Sequence, residues 1–383
     1  MTVVVPMLTR RQIEALPVRA RDVVEYRKSG LSLNHIQGCP LDCAYCIRHT
    51  YGLWDQRQPR ALMSDAEAVE QLVGHRYFRP HVTPLQLFNR ATDPFLPQVR
   101  QHTFAVLEDL DGRGLRNHLL VITRCRLSRS DCERLAAISH LRLTLLFTYS
   151  GIDDQRIEPY PSTVAAASLA IASQLAPRPY RTVLYWRPLV PGLNDSAGHL
   201  ARAAALSAVA DATVFTGLFF RDEIAAYYQA NGLPLPYGET ARRKIMPETL
   251  ERRVLAAFQE QSGGPLFRKT SCAVSYVHGL PDYNGHVGVA ELCDICPVAQ
   301  LKRCQGAHRI PTATQLQAAA GDLPEAQELH VMEISQRAAV VTGLPSEQPR
   351  YFLQHVLGFQ VHDAAHPHRS QRHGRAEIGW ESA

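Results

Sequence analysis

Short apolar runs alternate with longer segments of helical periodicity between residue 31 and about residue 220. We interpret the apolar runs as β-strands, at residues 31–37, 84–88, 118–123, 141–147, 181–187 and 212–220. Helix-like stretches such as DAEAVEQLVGH and STVAAASLAIASQLA lie between them. Six β–α units in a row predict an α/β fold with a parallel sheet covered by helices. Periodicity alone allows a barrel or an open, doubly wound sheet, and both place the active site at the carboxyl ends of the strands.

The alternation stops after about residue 221, and the composition changes along the rest of the chain. We therefore divide the sequence into five parts. These are an N-terminal segment (1–30), the β–α region (31–220), a Cys-rich metal-binding region (221–310), a helical extension (311–362) and a tail (363–383). The extension contains the helix-like stretch EISQRAAVV. The tail is rich in His and Arg with little apolar periodicity, so we expect it to be disordered.

A cysteine-rich loop, GCPLDCAYCIRHTYG (38–52), follows the first predicted strand and carries Cys39, Cys43 and Cys46 in a C-x3-C-x2-C spacing. Thiolate metal sites usually take four protein ligands. If three thiolates hold a cluster of four irons and four sulfurs, the fourth iron stays open, and S-adenosylmethionine (SAM) can chelate it through its amino and carboxylate groups. One electron from the cluster would then cleave SAM to a 5′-deoxyadenosyl radical, which takes a hydrogen atom from the substrate. The alternative is a zinc site with His35 or His49 as the fourth ligand.

The stretch GCPLDCAYC resembles the cysteine loop of the radical SAM superfamily. Other segments are similar to one branch of it, the enzymes like spore photoproduct lyase. These segments are NRATDPFLP (89–97), VITRCRLSRSD (121–131), IEPYPST (157–163) and RPLVPGLND (187–195). The resemblance covers residues 31 to about 220. It implies a partial (β/α)6 TIM-type barrel with a Cys-rich C-terminal extension.

The resemblance also implies roles for individual residues. Cys39, Cys43 and Cys46 would hold the SAM-binding 4Fe-4S cluster. Residues on the loop and on the strand ends would bind SAM. Tyr45 would lie near the adenine, Asn89, Thr92 and Asp93 near the amino group, and Thr148 and Ser150 near the ribose or carboxylate. Arg124 and Arg187 are candidates for binding a carboxylate or phosphate of SAM or of the substrate.

The remaining cysteines suggest two further roles. Cys272, Cys293, Cys296 and Cys304, spaced C-x20-C-x2-C-x7-C, offer four ligands and thus a closed site for a second 4Fe-4S cluster or a structural zinc. Cys125 follows the third strand, where a catalytic thiol could return a hydrogen atom to a substrate radical; the alternative is a small buried hydrophobic residue.

Composition limits the classes of partner. Lys plus Arg is 41 and Asp plus Glu is 36, so the net charge of +5 is spread over 383 residues and does not predict a basic stripe for nucleic acid. No apolar run approaches the ~18 residues of a membrane span, and no secretory signal is recognisable. We therefore expect a cytoplasmic protein whose nine cysteines are thiols or metal ligands.

Together these features predict a radical SAM enzyme that acts on a small organic substrate. Our preferred class is a nucleoside or sugar nucleotide in specialised metabolism, such as antibiotic biosynthesis, with a reducing partner such as flavodoxin or ferredoxin. Three alternatives stay open. They are repair or modification of a base within nucleic acid, modification of a peptide, and a non-catalytic, zinc-stabilised binding protein.

Overall fold

The computed structural model describes residues 5–88, 90, 92–241, 244–261 and 263–367. Its strands, numbered in chain order, are β1 (Val24–Arg27), β2 (Gly30–Leu33), β3 (Ile36–Gln37), β4 (Arg60–Ala61), β5 (Leu85–Leu87), β6 (His118–Thr123), β7 (Arg142–Tyr149), β8 (Arg181–Leu189), β9 (Ala212–Gly217), β10 (Leu266–Phe267), β11 (His330–Ile334), β12 (Ala338–Thr342) and β13 (Gln360–Asp363).

The helices begin at sequence signals typical of helix N-termini. Ser64 and Ser128, for example, each precede a helix and form a capping box with the acidic residue three positions later. The helices are α1 (Arg10–Glu14), α2 (Val18–Arg21), α3 (Asp65–Val73), α4 (Arg100–Gly112), α5 (Arg129–Ala136), α6 (Ser162–Gln174), α7 (Ala197–Ser207), α8 (Asp222–Ala230), α9 (Glu248–Glu260), α10 (Thr270–Val277), α11 (Ala290–Cys293), α12 (Val298–Ala307), α13 (Ala313–Gly321) and α14 (Glu347–Leu357). Among the described residues, no helix combines the length and the apolar character needed to cross a bilayer.

The main sheet has eight strands in the order β1-β2-β5-β6-β7-β8-β9-β10. All neighbours from β2 to β10 pair in parallel, and β1 pairs with β2 antiparallel. The spatial order follows the chain order without a reversal. A doubly wound sheet changes direction at a switch point, so this order excludes that alternative. The fold is a partial TIM-type barrel, as predicted.

The predicted strands match the observed ones except at the beginning. Residues 31–37 are not one strand: Asn34 and His35 separate β2 from β3, which pairs with β4 outside the main sheet. Both side chains are buried and point to specific partners, Asn34 to Ser32 and His35 to Asp65. The chain therefore leaves the sheet before the cysteine loop, which starts at the end of β3.

The two faces of the sheet pack against different parts of the chain. On the outer face, Trp186 of β8 stacks on Phe258 of α9, with ring centroids 5.8 Å apart. On the inner face, Tyr185 belongs to an apolar cluster with Val214 of β9 and Ala273 of α10. Because α10 follows β10 directly, the chain crosses from the edge of the sheet onto its inner face.

The region 311–362, predicted as a helical extension, contains the helices α13 and α14, but the prediction was wrong for the residues between them. EISQRAAVV forms the β11–β12 hairpin, whose turn is closed by hydrogen bonds between Ser335 and Ala338. The β-branched pair Val340–Val341 favours a strand, and β13 pairs with β12 in parallel. The strand β13 includes Asp363, the first residue of the tail that we expected to be disordered; residues 368–383 of that tail lie outside the described residues.

Candidate functional site

The cysteine loop begins with a glycine that the backbone requires. Gly38 has a φ of +102°, and a Cβ there would overlap the carbonyl of Gln58. The loop then carries the three cysteines into a short 3₁₀ helix, Ile47–Tyr51, which ends at Gly52 in the left-handed conformation. Both ends of the cysteine loop are thus fixed by glycines.

A buried arginine holds the loop in shape. Arg48 is 1% exposed and donates from Nη2 to the carbonyl of Leu41 (2.6 Å) and from Nη1 to that of Gln56 (3.1 Å). The backbone N–H of Cys39 donates to the same Gln56 carbonyl at 2.9 Å. Farther along, the N–H of Ala44 donates to the carbonyl of Ile157, which anchors the loop to the segment after β7.

Two thiols of this loop are held in the protonated form by burial. Burial raises the pKa of Cys39 to about 12, against the opposing charge of Arg48. Burial also raises the pKa of Cys43 well above its ordinary value, against the charge of Arg124. Such thiols stay protonated without a partner, and a bound metal would displace their protons.

The spacing of the thiols disfavours a single zinc. In the described part of the chain, the Sγ atoms of Cys39, Cys43 and Cys46 do not all lie within 4.8 Å of one another. Ligand sulfurs around one zinc, each ~2.3 Å from the metal, would be about 3.8 Å apart. A four-iron cluster is larger than one ion and takes more widely spaced ligands.

The two histidines of the zinc alternative are engaged elsewhere. Nε2 of His35 lies 2.8 Å from Oδ1 of Asp65. His49 stacks on Trp54, with ring centroids 3.8 Å apart, and also contacts the ring of Tyr227. Nδ1 of His35 and Nε2 of His49 are buried without a hydrogen-bond partner among the described residues. Neither imidazole, however, completes with these thiols a group of three ligand atoms that lie within 4.8 Å of one another in the described part of the chain.

A charged group lies directly beside Cys43. Nη1 of Arg124 donates to both carboxylate oxygens of Glu158, at 2.7 and 2.8 Å, and lies 3.1 Å from Sγ of Cys43. The hydroxyl of Tyr45 donates to Glu158 and accepts from Arg124 at 3.0 Å. The structure thus brings together Tyr45, Arg124 and Cys43, all three named from the sequence.

Glu158 is a residue that the sequence reasoning missed. It is 4% exposed and follows β7 within the segment IEPYPST. A buried carboxylate near thiols needs a cation, and Arg124 supplies it. The sequence did offer a signal for Glu158, because it is an acidic residue within a segment that had already been selected by resemblance.

Asp93 fixes the loop that carries Arg124. Its Oδ1 accepts from the hydroxyl of Thr123 (2.6 Å) and from the backbone N–H of Phe95 (2.9 Å). Its Oδ2 accepts from the backbone N–H of Arg124 at 2.9 Å. The carboxylate is 8% exposed and joins the segment after β5 to the end of β6.

The residues just before Asp93 are described only in part. Thr92 has a buried hydroxyl oxygen without a hydrogen-bond partner among the described residues. Phe88, at the end of β5, has a positive φ of 51°, which is strained for an aromatic residue. Asn89 lies outside the described residues.

The other predicted cofactor-binding residues differ in their surroundings. Thr148 is 5% exposed near the end of β7. The hydroxyl of Ser150 accepts from the backbone N–H of Ile152 and lies 3.1 Å from that of Ser162, so it serves the local turn. The guanidinium of Arg187 lies over the ring of Tyr185 on the same strand.

Cys125 lies near the first cysteine site, whereas Cys132 does not. Burial raises the pKa of the Cys125 thiol, and the negative charge of Asp93 raises it further; the thiol also senses Cys39. Cys132 is on α5, and its thiol has the hydroxyl of Tyr180 as a neighbour. Only Cys125 of this pair is positioned to take part in chemistry at the loop.

The four C-terminal cysteines line one cavity of about 330 Å³. They come from three helices and the turn between two of them: Cys272 on α10, Cys293 at the end of α11, Cys296 in the turn after it and Cys304 on α12. No three of these thiols lie within 4.8 Å of one another in the part of the chain that the structure describes. The cavity is therefore wider than the ligand shell of one zinc ion.

A histidine and an aspartate that the sequence reasoning missed also face this site. The ligand atoms of Cys272, Asp282 and His286 lie within 4.8 Å of one another. Nδ1 of His286 is 2.8 Å from Oδ2 of Asp282, an arrangement that commonly orients a metal-binding imidazole. The i, i+4 spacing of Asp and His between two cysteines was the available signal.

Comparison with known proteins gives similarities of fold. No protein-family model and no curated protein matches the sequence. SuiB from Streptococcus suis, solved bound to S-adenosylmethionine, matches at 11% identity over 61% of this chain and 48% of SuiB, with a TM-score of 0.41. The chain thus spans about half the length of SuiB. Spore photoproduct lyase complexed with dinucleoside spore photoproduct matches at 14% identity over 63% of this chain and 76% of the lyase, with a TM-score of 0.45.

Proposed function

We propose that the chain is a radical SAM enzyme and that Cys39, Cys43 and Cys46 hold a 4Fe-4S cluster with one open iron. The observation that carries the proposal is the set of three buried or half-buried thiols at the carboxyl end of the barrel, spaced too widely for zinc and flanked by charged groups. When bound, the cluster supplies the electron that cleaves SAM and so generates the hydrogen-abstracting radical.

Arg124 and Glu158 support the binding of SAM at this place. SAM has a carboxylate and an ammonium group on its methionine end. The Arg124–Glu158 pair offers one charge of each sign beside Cys43. We propose that the guanidinium of Arg124 binds the SAM carboxylate and that the carboxylate of Glu158 binds the SAM ammonium, each giving up part of the ion pair between them. The buried hydroxyl of Thr92 would contribute a further contact.

Cys125 is our candidate for a hydrogen-atom donor. Hydrogen-atom transfer needs an S–H group, and burial keeps the Cys125 thiol protonated because it raises the pKa. The backbone N–H of Cys125 donates to the hydroxyl of Thr123 at 3.0 Å, which also holds Asp93. The thiol is therefore held by the same segment that carries Arg124.

We infer that the C-terminal cavity holds a second metal centre. Its four cysteines support a 4Fe-4S cluster, because their spacing and the volume of the cavity exceed the needs of one ion. The compact group of Cys272, Asp282 and His286 is the observation that favours zinc instead. We propose the cluster, and a metal count distinguishes the two.

The net charge of the chain is what supports the proposed substrate class. We infer a small organic molecule, a nucleoside or sugar nucleotide, and a low-potential electron donor of the flavodoxin or ferredoxin type. The low net charge of +5 supports a small substrate over a nucleic-acid polymer.

Anaerobic reconstitution tests the proposed activity. Protein reconstituted with iron and sulfide, then given dithionite and SAM, should form 5′-deoxyadenosine, and Cys39→Ala, Cys43→Ala and Cys46→Ala should each lose this activity. Cys132→Ala is the matched control, because this buried cysteine lies on α5 away from the loop. Formation of 5′-deoxyadenosine by all three loop variants at the wild-type rate would contradict the proposal.

A further inference from the structure

The inner face of the barrel changes from apolar to basic toward the carboxyl ends of β8 and β9. Val183 and Tyr185 pack in the apolar cluster under α10. Because alternate residues of a strand share a face, Arg187 continues this row beyond Tyr185. On β9, Thr216 continues the row that contains Val214. The apolar floor of the barrel is thus followed by polar groups on its inner wall.

Two cations and three hydroxyl groups meet at this level of the wall. The guanidinium carbon of Arg187 lies 4.1 Å from the ring centroid of Tyr185. Nζ of Lys244 donates to Oγ1 of Thr216 at 3.2 Å. The hydroxyl of Thr270, at the start of α10, donates to that of Tyr185 at 3.1 Å. These groups come from four separate segments of the chain.

Neighbouring charges show that positive charge is concentrated here. Burial lowers the pKa of Lys244, and the charge of Arg187 lowers it further. Burial alone would raise the pKa of Tyr185, but the charges of Arg187 and Lys244 lower it to about 8. Burial and the charges of Lys28 and Lys244 likewise lower the pKa of Lys269.

Among the described residues, the half-buried Arg187 and Lys244 have no acidic partner, in contrast to several buried arginines. Arg268, for example, lies 2.7 Å from Glu251, and Arg124 lies 2.7 Å from Glu158. Over the described residues, no carboxylate lies within 4.0 Å of Arg187 or Lys244. Half-buried like charges without a counter-ion are costly, so a bound anion would stabilise them.

We infer that Arg187, Lys244 and the hydroxyl groups of Tyr185 and Thr216 bind a phosphate or diphosphate group of the substrate. The inference rests on the proposed function and narrows its substrate class to phosphorylated molecules. Arg187 presents a planar fork and Lys244 a point charge, the two side chains that proteins use most for phosphate. Lys269 is three residues from Cys272 and its charge interacts with that thiol, so we do not include it in the site.

Binding of inorganic pyrophosphate tests the site without knowledge of the substrate. Isothermal titration calorimetry with the full, anaerobically prepared chain should give saturable binding. Arg187→Gln and Lys244→Gln should each raise the Kd about tenfold or more, because each removes a charge-assisted hydrogen bond. Arg129→Gln is the matched control, since Arg129 is exposed on α5 and pairs with Glu133.

The pKa of Tyr185 gives a second test of anion binding. It should not change if Arg187 and Lys244 have only a structural role. Pyrophosphate should raise the pKa of Tyr185 from about 8, measured as phenolate absorbance, because the bound anion offsets the two cations. Tyr185→Phe, which removes the ionisable hydroxyl and preserves the ring, identifies the signal.

Three results would overturn the inference. These are no saturable pyrophosphate binding by the wild type, equal Kd values for wild type and both charge variants, and displacement of pyrophosphate by SAM, which would assign the cations to the SAM carboxylate. A protein that binds pyrophosphate at this site without cleaving SAM would refute the proposed function and leave the anion site standing. A protein that cleaves SAM but gives any of these three results would refute the anion site and leave the proposed function standing.

Discussion

Arg124 and Glu158 form a buried ion pair in which one guanidinium nitrogen lies 2.7 Å from Oε1 and 2.8 Å from Oε2 of the carboxylate, next to the thiol of Cys43. The two residues follow different strands, β6 and β7. Their contact therefore ties two neighbouring strand ends to the cysteine loop. It also places a charge of each sign at the point where we propose that SAM binds.

Breaking this pair on one side should destabilise the protein. Glu158→Gln leaves the Arg124 charge without its partner, and we expect a loss of about 3 kcal/mol in the free energy of unfolding. Urea unfolding of the metal-free protein measures it. Adding Arg124→Gln should recover part of the loss, whereas Glu133→Gln, at an exposed ion pair, should change stability by less than about 1 kcal/mol. A Glu158→Gln variant as stable as the wild type would mean that the pair contributes nothing.

Asp93 should affect SAM binding through Arg124. Asp93→Asn weakens the hydrogen bonds that position the backbone of Arg124, so we expect SAM to bind more weakly by about 1–2 kcal/mol. Equilibrium dialysis of SAM against reconstituted protein measures this. In a double-mutant cycle with Arg124→Gln the two effects should overlap; full additivity would indicate instead that Asp93 contacts SAM independently, as the resemblance implied.

Metal analysis should separate the two cysteine groups. If both hold 4Fe-4S clusters, the wild type carries about eight irons per chain, and the triple variant Cys39→Ala, Cys43→Ala, Cys46→Ala keeps about four. That variant should remain brown but form no 5′-deoxyadenosine. About four irons and one zinc in the wild type would show that the C-terminal site is structural zinc and would leave the first site untouched.

Acid should destabilise the C-terminal region through a buried histidine. Burial lowers the pKa of His355 to about 3, and its ring lies 2.9 Å from the hydroxyl of Tyr26 and 2.6 Å from Oδ1 of Asn284. Below a pH of about 6.5, His355 is protonated in the unfolded chain but stays neutral in the folded chain. The free energy of unfolding therefore falls as the pH is lowered. For this group the fall is about 1.4 kcal/mol per pH unit, and it ends when the pH reaches the folded pKa.

His355→Gln isolates that contribution. The difference in unfolding free energy between wild type and variant should shrink from pH 7 to pH 4, as followed by urea titration. Because other acid-sensitive groups are common to both proteins, they cancel in the difference. A difference that does not depend on pH would show that His355 is not the group responsible.

Nucleic acid should not bind appreciably at physiological ionic strength. The net charge is small, and phosphate-backbone binding depends on many released counterions. Fluorescence anisotropy with labelled single-stranded and duplex DNA at rising salt checks this. Tight binding with a steep salt dependence would favour a substrate base within nucleic acid.

The sequence predicted the long parallel strands well because each is a continuous apolar run between helical segments. It did not predict β10, which has only two residues, Leu266 and Phe267, and gains its place by pairing with β9. EISQRAAVV was wrongly taken as helix because its alternation is too short to separate the two periods. The local hydrophobic pattern therefore predicted the parallel strands of the barrel, but neither the edge strand β10 nor the β11–β12 hairpin.

For the site, the sequence supplied the cysteines because their spacing is local. It did not supply Glu158, whose importance comes from its contact with Arg124, 34 residues earlier. The sequence also named Arg187 as a candidate for binding a carboxylate or phosphate. It did not name Lys244, because Lys244 follows β9 on a different segment and only the folded sheet brings the two side chains to the same wall. Contacts between strand ends exist only once the sheet is formed.

The short strand β10 has a consequence for how this protein can be divided. It adds to the edge of the barrel sheet and leads directly into α10, which covers the inner face and carries Cys272 on its first turn. A fragment ending after α9 would leave Tyr185 and its apolar neighbours uncovered, so the barrel cannot be excised as a self-sufficient module. We therefore expect the C-terminal cysteine site and the cover of the inner face to fold together, so that removing a metal bound by Cys272 would also loosen the packing of α10 on the barrel.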